Sequence, residues 1–143
     1  MLSLCKEAKF TRVSDAVAAG TTDVNCTSVD MSGFDAVAFV AAFGTITSSA
    51  VTSIKVQGSS DNSTFVDLEG TSVTVADDDD NQLFIAEVLR PSYRYIRLVI
   101  DRGTANAVID SVTAIQHTPR YAPVTQPATT TVEVNVAPAA GTA

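Results

Sequence analysis

The sequence predicts an all-β fold, an antiparallel β-sandwich of jelly-roll-like character with extended N- and C-terminal arms. Three observations carry this. Val51 to Leu68 reads as strand, polar turn and strand. Arg94 to Asp101, RYIRLVID, is a second strongly β-prone run. Between these and the flanking segments, turn residues recur at short intervals with no long amphipathic helix, which is the pattern of a sandwich or barrel of antiparallel strands.

Residues 1–20 mix charge with small side chains. Asp15 to Gly20 is compatible with a short helix or an irregular lead-in, and the segment is expected as an extended arm. Thr22 to Val29 alternates β-branched and polar residues, with Val24, Cys26 and Ser28 on one face, and predicts the first regular strand. Phe34 to Phe43 is apolar on both faces. Period alone would permit a helix, but Gly33 and Gly44 bracket the run and Val and Phe recur in it, so a central strand is expected.

In Ile54-Lys55-Val56-Gln57 the side chains alternate apolar and polar, the two-residue period of a half-buried strand. Gly58 to Ser63 supplies residues that tolerate turn conformations. Phe65 to Leu68 resumes the extended pattern, with Phe65 and Asp67 facing one way and Val66 and Leu68 the other. Ser72 to Val75 and Leu83 to Val88 predict further strands on either side of the acidic loop Asp77 to Asp80. Tyr93 to Asp101 is the strongest strand, Arg102 to Asn106 the next turn, and Ala107 to His117 the last strand. The sandwich is therefore expected over residues 21–118.

Residues 119–143 differ in character. Pro119, Pro123, Pro127 and Pro138 punctuate a run of Ala, Thr and Val. Proline lacks the N–H that a sheet ladder needs, so the first half of this arm is expected to be extended and outside the core. Thr131 to Val136 alternates strictly, with Val132, Val134 and Val136 on one face. A valine row for which the core has no slot implies a partner. The expectation is a strand added to another subunit or a neighbouring protein, against the alternative of a mobile tail. Tyr121, Val132, Val134 and Val136 are the candidate interface residues.

Composition bounds the functions available. A chain of 143 residues fits one domain and, at about this size, buries roughly 68–70% of the surface its unfolded form exposes, so a core needs no metal or disulfide staple. Nine basic against sixteen acidic residues give a net charge of −7, which repels phosphate backbones and argues against nucleic-acid binding. Cys5 and Cys26 are too few for a disulfide framework and are expected as free thiols. The longest apolar stretch, Ala36 to Phe43, falls far below the roughly twenty residues of a membrane span, and Met1 to Cys5 is too short for a signal segment. A soluble protein made in a host cytoplasm, with no membrane partner, is the expectation.

No catalytic residue, cofactor site or metal site emerges. His117 is a lone histidine without a nucleophile motif, and no phosphate loop, nucleophile elbow or dinucleotide glycine pattern occurs. Asp77 to Asp80 concentrates four carboxylates but lacks the spacing and glycine of an EF-hand loop, and is expected as a solvated rim. Arg94 and Arg97 are expected to lay their stems across the sheet and pair their heads with carboxylates.

The phrases KVQGSSDNSTFVDLEG and RYIRLVID resemble the hairpin and late strand of galactose-binding-like, discoidin-type jelly rolls. The order FDAVAFVAAFGTITSSAVTSIKVQGSSDNSTF, YRYIRLVIDRG and VTAIQHTPRYAP is more similar to small structural proteins of tailed bacteriophages that associate with the capsid, over roughly residues 30–123. That resemblance implies a non-enzymatic virion component: a head decoration or cement protein on the capsid surface, bridging capsomers, with the major capsid protein and copies of itself, as a homotrimer, for partners. The loop aromatics of the sugar-binding discoidin group are missing here. A carbohydrate-binding module of a tail fibre or virion surface is therefore the alternative, together with a structural component of the tail or baseplate.

Overall fold

The computed structural model describes residues 3–142. A single helical turn, α1 (Leu4–Glu7), precedes eleven strands: β1 (Lys9–Ser14), β2 (Val17–Gly20), β3 (Val24–Asn25), β4 (Val29–Asp30), β5 (Phe34–Ile46), β6 (Val51–Ser59), β7 (Val66–Asp67), β8 (Val73–Val75), β9 (Leu83–Leu89), β10 (Tyr95–Thr104) and β11 (Ala107–Pro119). They form two antiparallel sheets. Sheet A runs β1-β11-β5-β9, with β2 also on β11. Sheet B runs β3-β10-β6-β7, with β4 on β10 and β8 on β6. From β4 onward the chain crosses repeatedly between the sheets, with the consecutive strands β6, β7 and β8 all in sheet B.

Alternation along each strand builds the core. Val37, Phe39, Ala41 and Phe43 of β5 face Ile54 and Val56 of β6 and Ile96, Leu98 and Ile100 of β10, all buried. Phe43 meets Phe84 edge to face at 5.4 Å. Burying one such side chain is worth about 1.5–3 kcal/mol, so this two-layer interior dominates the stability. Among the described residues, no helix is long and apolar enough to cross a membrane.

The hairpin expected at Val51–Leu68 is present, with Gln57 opposite Asp67 and Gly58 opposite Val66. Its turn starts later than expected. Gly58 lies within β6, and a Cβ there would stand 2.5 Å from the Tyr93 ring, so this glycine admits an aromatic ring rather than a turn. The turn itself is organised by Asp61, whose Oδ1 accepts hydrogen bonds from the Ser59 hydroxyl and from the amides of Ser63 and Thr64. Those donors hold its carboxyl far below the usual carboxylate range. Asn62 adopts a left-handed φ of 58° at the tip.

Three expectations need correction. Residues 9–20 are not a free arm: β1 and β2 pair with β11 and belong to sheet A, because β11 otherwise has an open edge along its length. The expected strand over Thr22 to Val29 is broken into β3 and β4. Both pair with β10, but between them the Thr27 amide turns away to the Val13 carbonyl. The expected turn from Arg102 shrinks to Ala105 and Asn106, since β10 continues to Thr104 and Ala105 takes the left-handed φ of 59°. Cys5 and Cys26 are free thiols. Cys26 sits between β3 and β4, with its amide bonded to the Leu98 carbonyl, and burial pushes its thiol pKa up to about 12.

Candidate interaction surface

The two-sided apolarity of Phe34 to Phe43 places β5 at the centre of sheet A, between β11 and β9. One side is core. The other carries Ala36, Ala38, Val40 and Ala42, aligned with Leu89, Glu87, Ile85 and Leu83 of β9 and with His117, Ile115, Thr113 and Ser111 of β11. The β5 and β9 part of the outer face is therefore built from small and branched apolar side chains apart from Glu87, while β11 adds Ser111, Thr113 and His117 beside Ile115. At its β9 margin Leu83, Ile85 and Leu89 are 60–66% exposed, a row of large apolar residues that no described residue covers. Glu87 interrupts the row. Its carboxylate reaches over the small β5 alanines to His117, at 2.7 Å from Nε2. His117 thus takes part in a cross-strand polar pair on this face.

β9 is also an edge. The bonds from Phe43 N to Gln82 O and from Arg90 N to Asp35 O set the parity of its main chain. In an antiparallel ladder the two backbone groups of a residue point the same way, and successive residues alternate. Residues 84, 86 and 88 therefore serve β5, and the N–H and C=O of Leu83, Ile85, Glu87 and Leu89 point outward. Among the described residues none of these outward groups meets a partner.

The opposite edge, β1, is treated differently. Gln126 accepts a hydrogen bond from the Phe10 amide at 2.9 Å and donates to the carbonyls of Cys5 and Ala8 at 2.8 and 2.7 Å. Thr130 donates its hydroxyl to the Phe10 carbonyl, and the Val124 amide bonds the Lys6 carbonyl. The first half of the C-terminal segment, expected outside the fold, is thus a strap along the β1 edge held largely by side chains. It lies against the sheet because its prolines spare it the regular ladder while Gln126 supplies the missing donors and acceptor.

The candidate interface residues lie along this segment and are not gathered into one patch. Tyr121 is 87% exposed. Val132, Val134 and Val136 are exposed too, and residues 131–136 form no strand within the chain. Val134 and Val136 stand beside Ser3 and Lys6 across a loosely filled cavity of about 360 Å³.

Other expected features have structural duties. Asp77 and Asp80 accept hydrogen bonds from the amides of Ser49 and Ile46, and Asp79 caps the Ala76 amide, so the acidic loop ties down the β5–β6 turn as well as facing solvent. Among the described residues, no three His, Cys, Asp or Glu side chains converge as metal ligands. Arg94 grips Asp30 with two hydrogen bonds of 2.8 and 3.1 Å, which hold the Asp30 carboxyl below its usual range. Arg97 departs from expectation: its head takes the Gln57 amide oxygen opposite it and lies 4.0 Å over the Phe65 ring, with no carboxylate.

Two polar side chains were not singled out from the sequence. Arg102 is buried, and its guanidinium donates to the carbonyls of Thr22, Ala18 and Ala107 at 2.7–2.9 Å. Gln116 is buried against Met31 and donates to the Asp30 carbonyl at 2.7 Å. For Arg102 the signal was available: it continues the even-numbered inward series of Ile96, Leu98 and Ile100. An open cleft of about 470 Å³ lies at one end of the sandwich, with Phe34, Asp35, Tyr93, Arg94 and Arg120 in its lining.

No protein-family model matches the chain, and no curated protein sequence does. Among solved structures, the crystal structure of PBSX exported protein XepA superposes with a TM-score of 0.55 at 17% identity, over 96% of this chain. The match takes in 46% of that protein, so this chain spans about half of its length. At this identity the likeness establishes a shared β-sandwich fold.

Proposed function

We propose that this protein is a non-enzymatic structural component of a bacteriophage virion, a head decoration or cement protein that stabilises the capsid by bridging capsomers and that associates with further copies of itself. The observation that carries the reading is the outer face of sheet A, where the exposed Leu83, Ile85 and Leu89 border the half-buried Ala38, Val40 and Ala42. Contiguous apolar surface of this kind marks a protein contact. The resemblance read from the sequence to capsid-associated phage proteins points the same way, and the β-sandwich shared with PBSX exported protein XepA is compatible with it.

The mechanism is mass action. A protein that binds the assembled shell and not its separated subunits stabilises the shell by its binding free energy, repeated at every site of the lattice. Incubating the purified protein with undecorated phage heads, pelleting them and imaging them by cryo-electron microscopy tests this. Regular added density on the head surface is expected. A protein left wholly in the supernatant, or density on the tail alone, would overturn the head assignment.

The cleft beside Tyr93 favours a second reading, glycan binding at a virion surface. It sets Tyr93 and Phe34 beside Asp35 and three arginines, Arg90, Arg94 and Arg120, groups that suit stacking and hydrogen bonding to sugar hydroxyls. Glycan-array binding that disappears in Tyr93→Ala would support this reading, and a blank array would remove it.

A further inference from the structure

We propose that residues 131–136 of one copy add as a strand to the open edge of β9 in a second copy. The inference rests on the self-association proposed above and names the two surfaces that would meet. Each half is incomplete alone. The β9 edge presents the outward backbone groups of Leu83, Ile85, Glu87 and Leu89 with no partner among the described residues, and three of those side chains form the exposed apolar row. A groove of about 190 Å³ borders this edge, with Val56, Gly70, Thr71 and Val73 opposite Ile85 to Glu87. Residues 131–136, TVEVNV, have the alternation of a half-buried strand and, among the described residues, no backbone hydrogen bond to the rest of the chain. Laid beside β9, the valines continue the two-residue period of Leu83 and Ile85 and extend the apolar outer face by one strand.

The chain cannot make this pairing with itself while its strap is in place. Thr130 is held at Phe10 on β1, and β9 lies at the far edge of the same sheet, three strand intervals away. A strand outside β9 lies one interval further, so at about 4.8 Å per interval the crossing takes about 19 Å of the roughly 20 Å that six extended residues span, which leaves nothing to run alongside β9. The acceptor therefore belongs to another copy. Donor and acceptor occupy opposite edges of one sheet, so the contact is head-to-tail and closes into a ring or grows into a filament according to its rotation. A ring of three copies is the closed form that agrees with the trimer expected from the sequence resemblance.

Two substitutions in the full chain separate the halves. Ile85→Pro removes an outward-pointing N–H and leaves the ladder to β5 intact, a position where a sheet tolerates proline. Val134→Pro breaks the donor in a segment that forms no strand and makes no backbone hydrogen bond among the described residues. By sedimentation velocity the wild type should run as an oligomer and each variant alone at the 14.9 kDa of one chain. An equimolar mixture of the two should form a heterodimer, because the Ile85→Pro copy keeps its tail and the Val134→Pro copy keeps its edge. Circular dichroism checks the fold, and Ile85→Lys replaces Ile85→Pro if the proline unfolds it. An oligomer that persists in either variant, or a mixture that stays monomeric, overturns the strand exchange while leaving self-association standing. A monomeric wild type overturns both.

Discussion

The outer faces of the two sheets solve the same problem in opposite ways. On sheet B the outward side chains satisfy one another: Lys55 and Gln57 both hold Asp67, and Arg97 takes Gln57 and stacks on Phe65. On sheet A the outward side chains of β5 and β9 are alanine, valine, isoleucine and leucine apart from Glu87, with Ser111, Thr113 and the Glu87–His117 pair as the polar members beside them. A face whose polar groups are paired across neighbouring strands is finished when it meets water. A face whose apolar groups have only water beside them gains by being covered. The edges repeat the contrast within sheet A, since β1 is strapped by Gln126 and Thr130 and β9 is bare.

The sharpest way to break that comparison is to substitute near neighbours on two adjacent strands. Phe39→Ala, on the core side of β5, should cost about 3–5 kcal/mol in denaturant unfolding, because it opens a cavity between the sheets. Ile85→Lys, on the outer side of the adjacent strand, should change the stability of the isolated chain by under about 0.5 kcal/mol while reducing association. If the second cost rivalled the first, the outer face would be part of the fold and not a docking surface.

Next in size, Arg102→Met should cost about 2–4 kcal/mol by the same measurement, since the carbonyls of Ala18, Thr22 and Ala107 would lose a shared buried donor. A smaller loss would mean that water enters to replace the guanidinium.

On sheet B the expected effects are slight. Lys55→Ala should cost less than about 1 kcal/mol, because its ion pair with Asp67 at 2.9 Å is largely solvated. Association should be unchanged, and any loss of oligomer in this variant would transfer the contact to sheet B.

The smallest effect concerns pH. Asp61 has a depressed folded pKa, so its contribution to the hairpin is complete above the unfolded value of about 3.9 and is lost as pH falls through the lower folded value. The amide resonances of Ser63 and Thr64 should therefore keep their native shifts at pH 3.8 and move only in stronger acid. A midpoint near pH 4 would show that the Asp61 turn is not formed in solution.

Legibility in the sequence followed the distance over which each decision was made. The Val51–Leu68 hairpin, β9, β10 and β11 were readable because alternation and turn residues act over a few neighbours. β5 was readable as a central strand, yet its second apolar face pointed to a cover whose absence in the single chain only the assembled sheet reveals. Gly58 was misread because its reason is a ring more than thirty residues away. The β9 row went unnoticed for a related cause: Leu83, Ile85 and Leu89 look like core residues until Phe84, Ala86 and Val88 are seen to occupy that side. The candidate residues Val132, Val134 and Val136 came from alternation alone, and the open β9 edge is the acceptor proposed for them.

By itself the sequence determined that this chain folds as antiparallel strands in two layers, because the two-residue period and the turn chemistry are local and survive any packing. Only the tertiary structure decided that residues 9–20 complete a sheet, that Gln126 closes one edge of it and that β9 is left open. Those outcomes depend on which backbone groups remain unpaired once the strands have been ordered, and pairing between residues more than a hundred positions apart leaves no mark on the pattern of either partner.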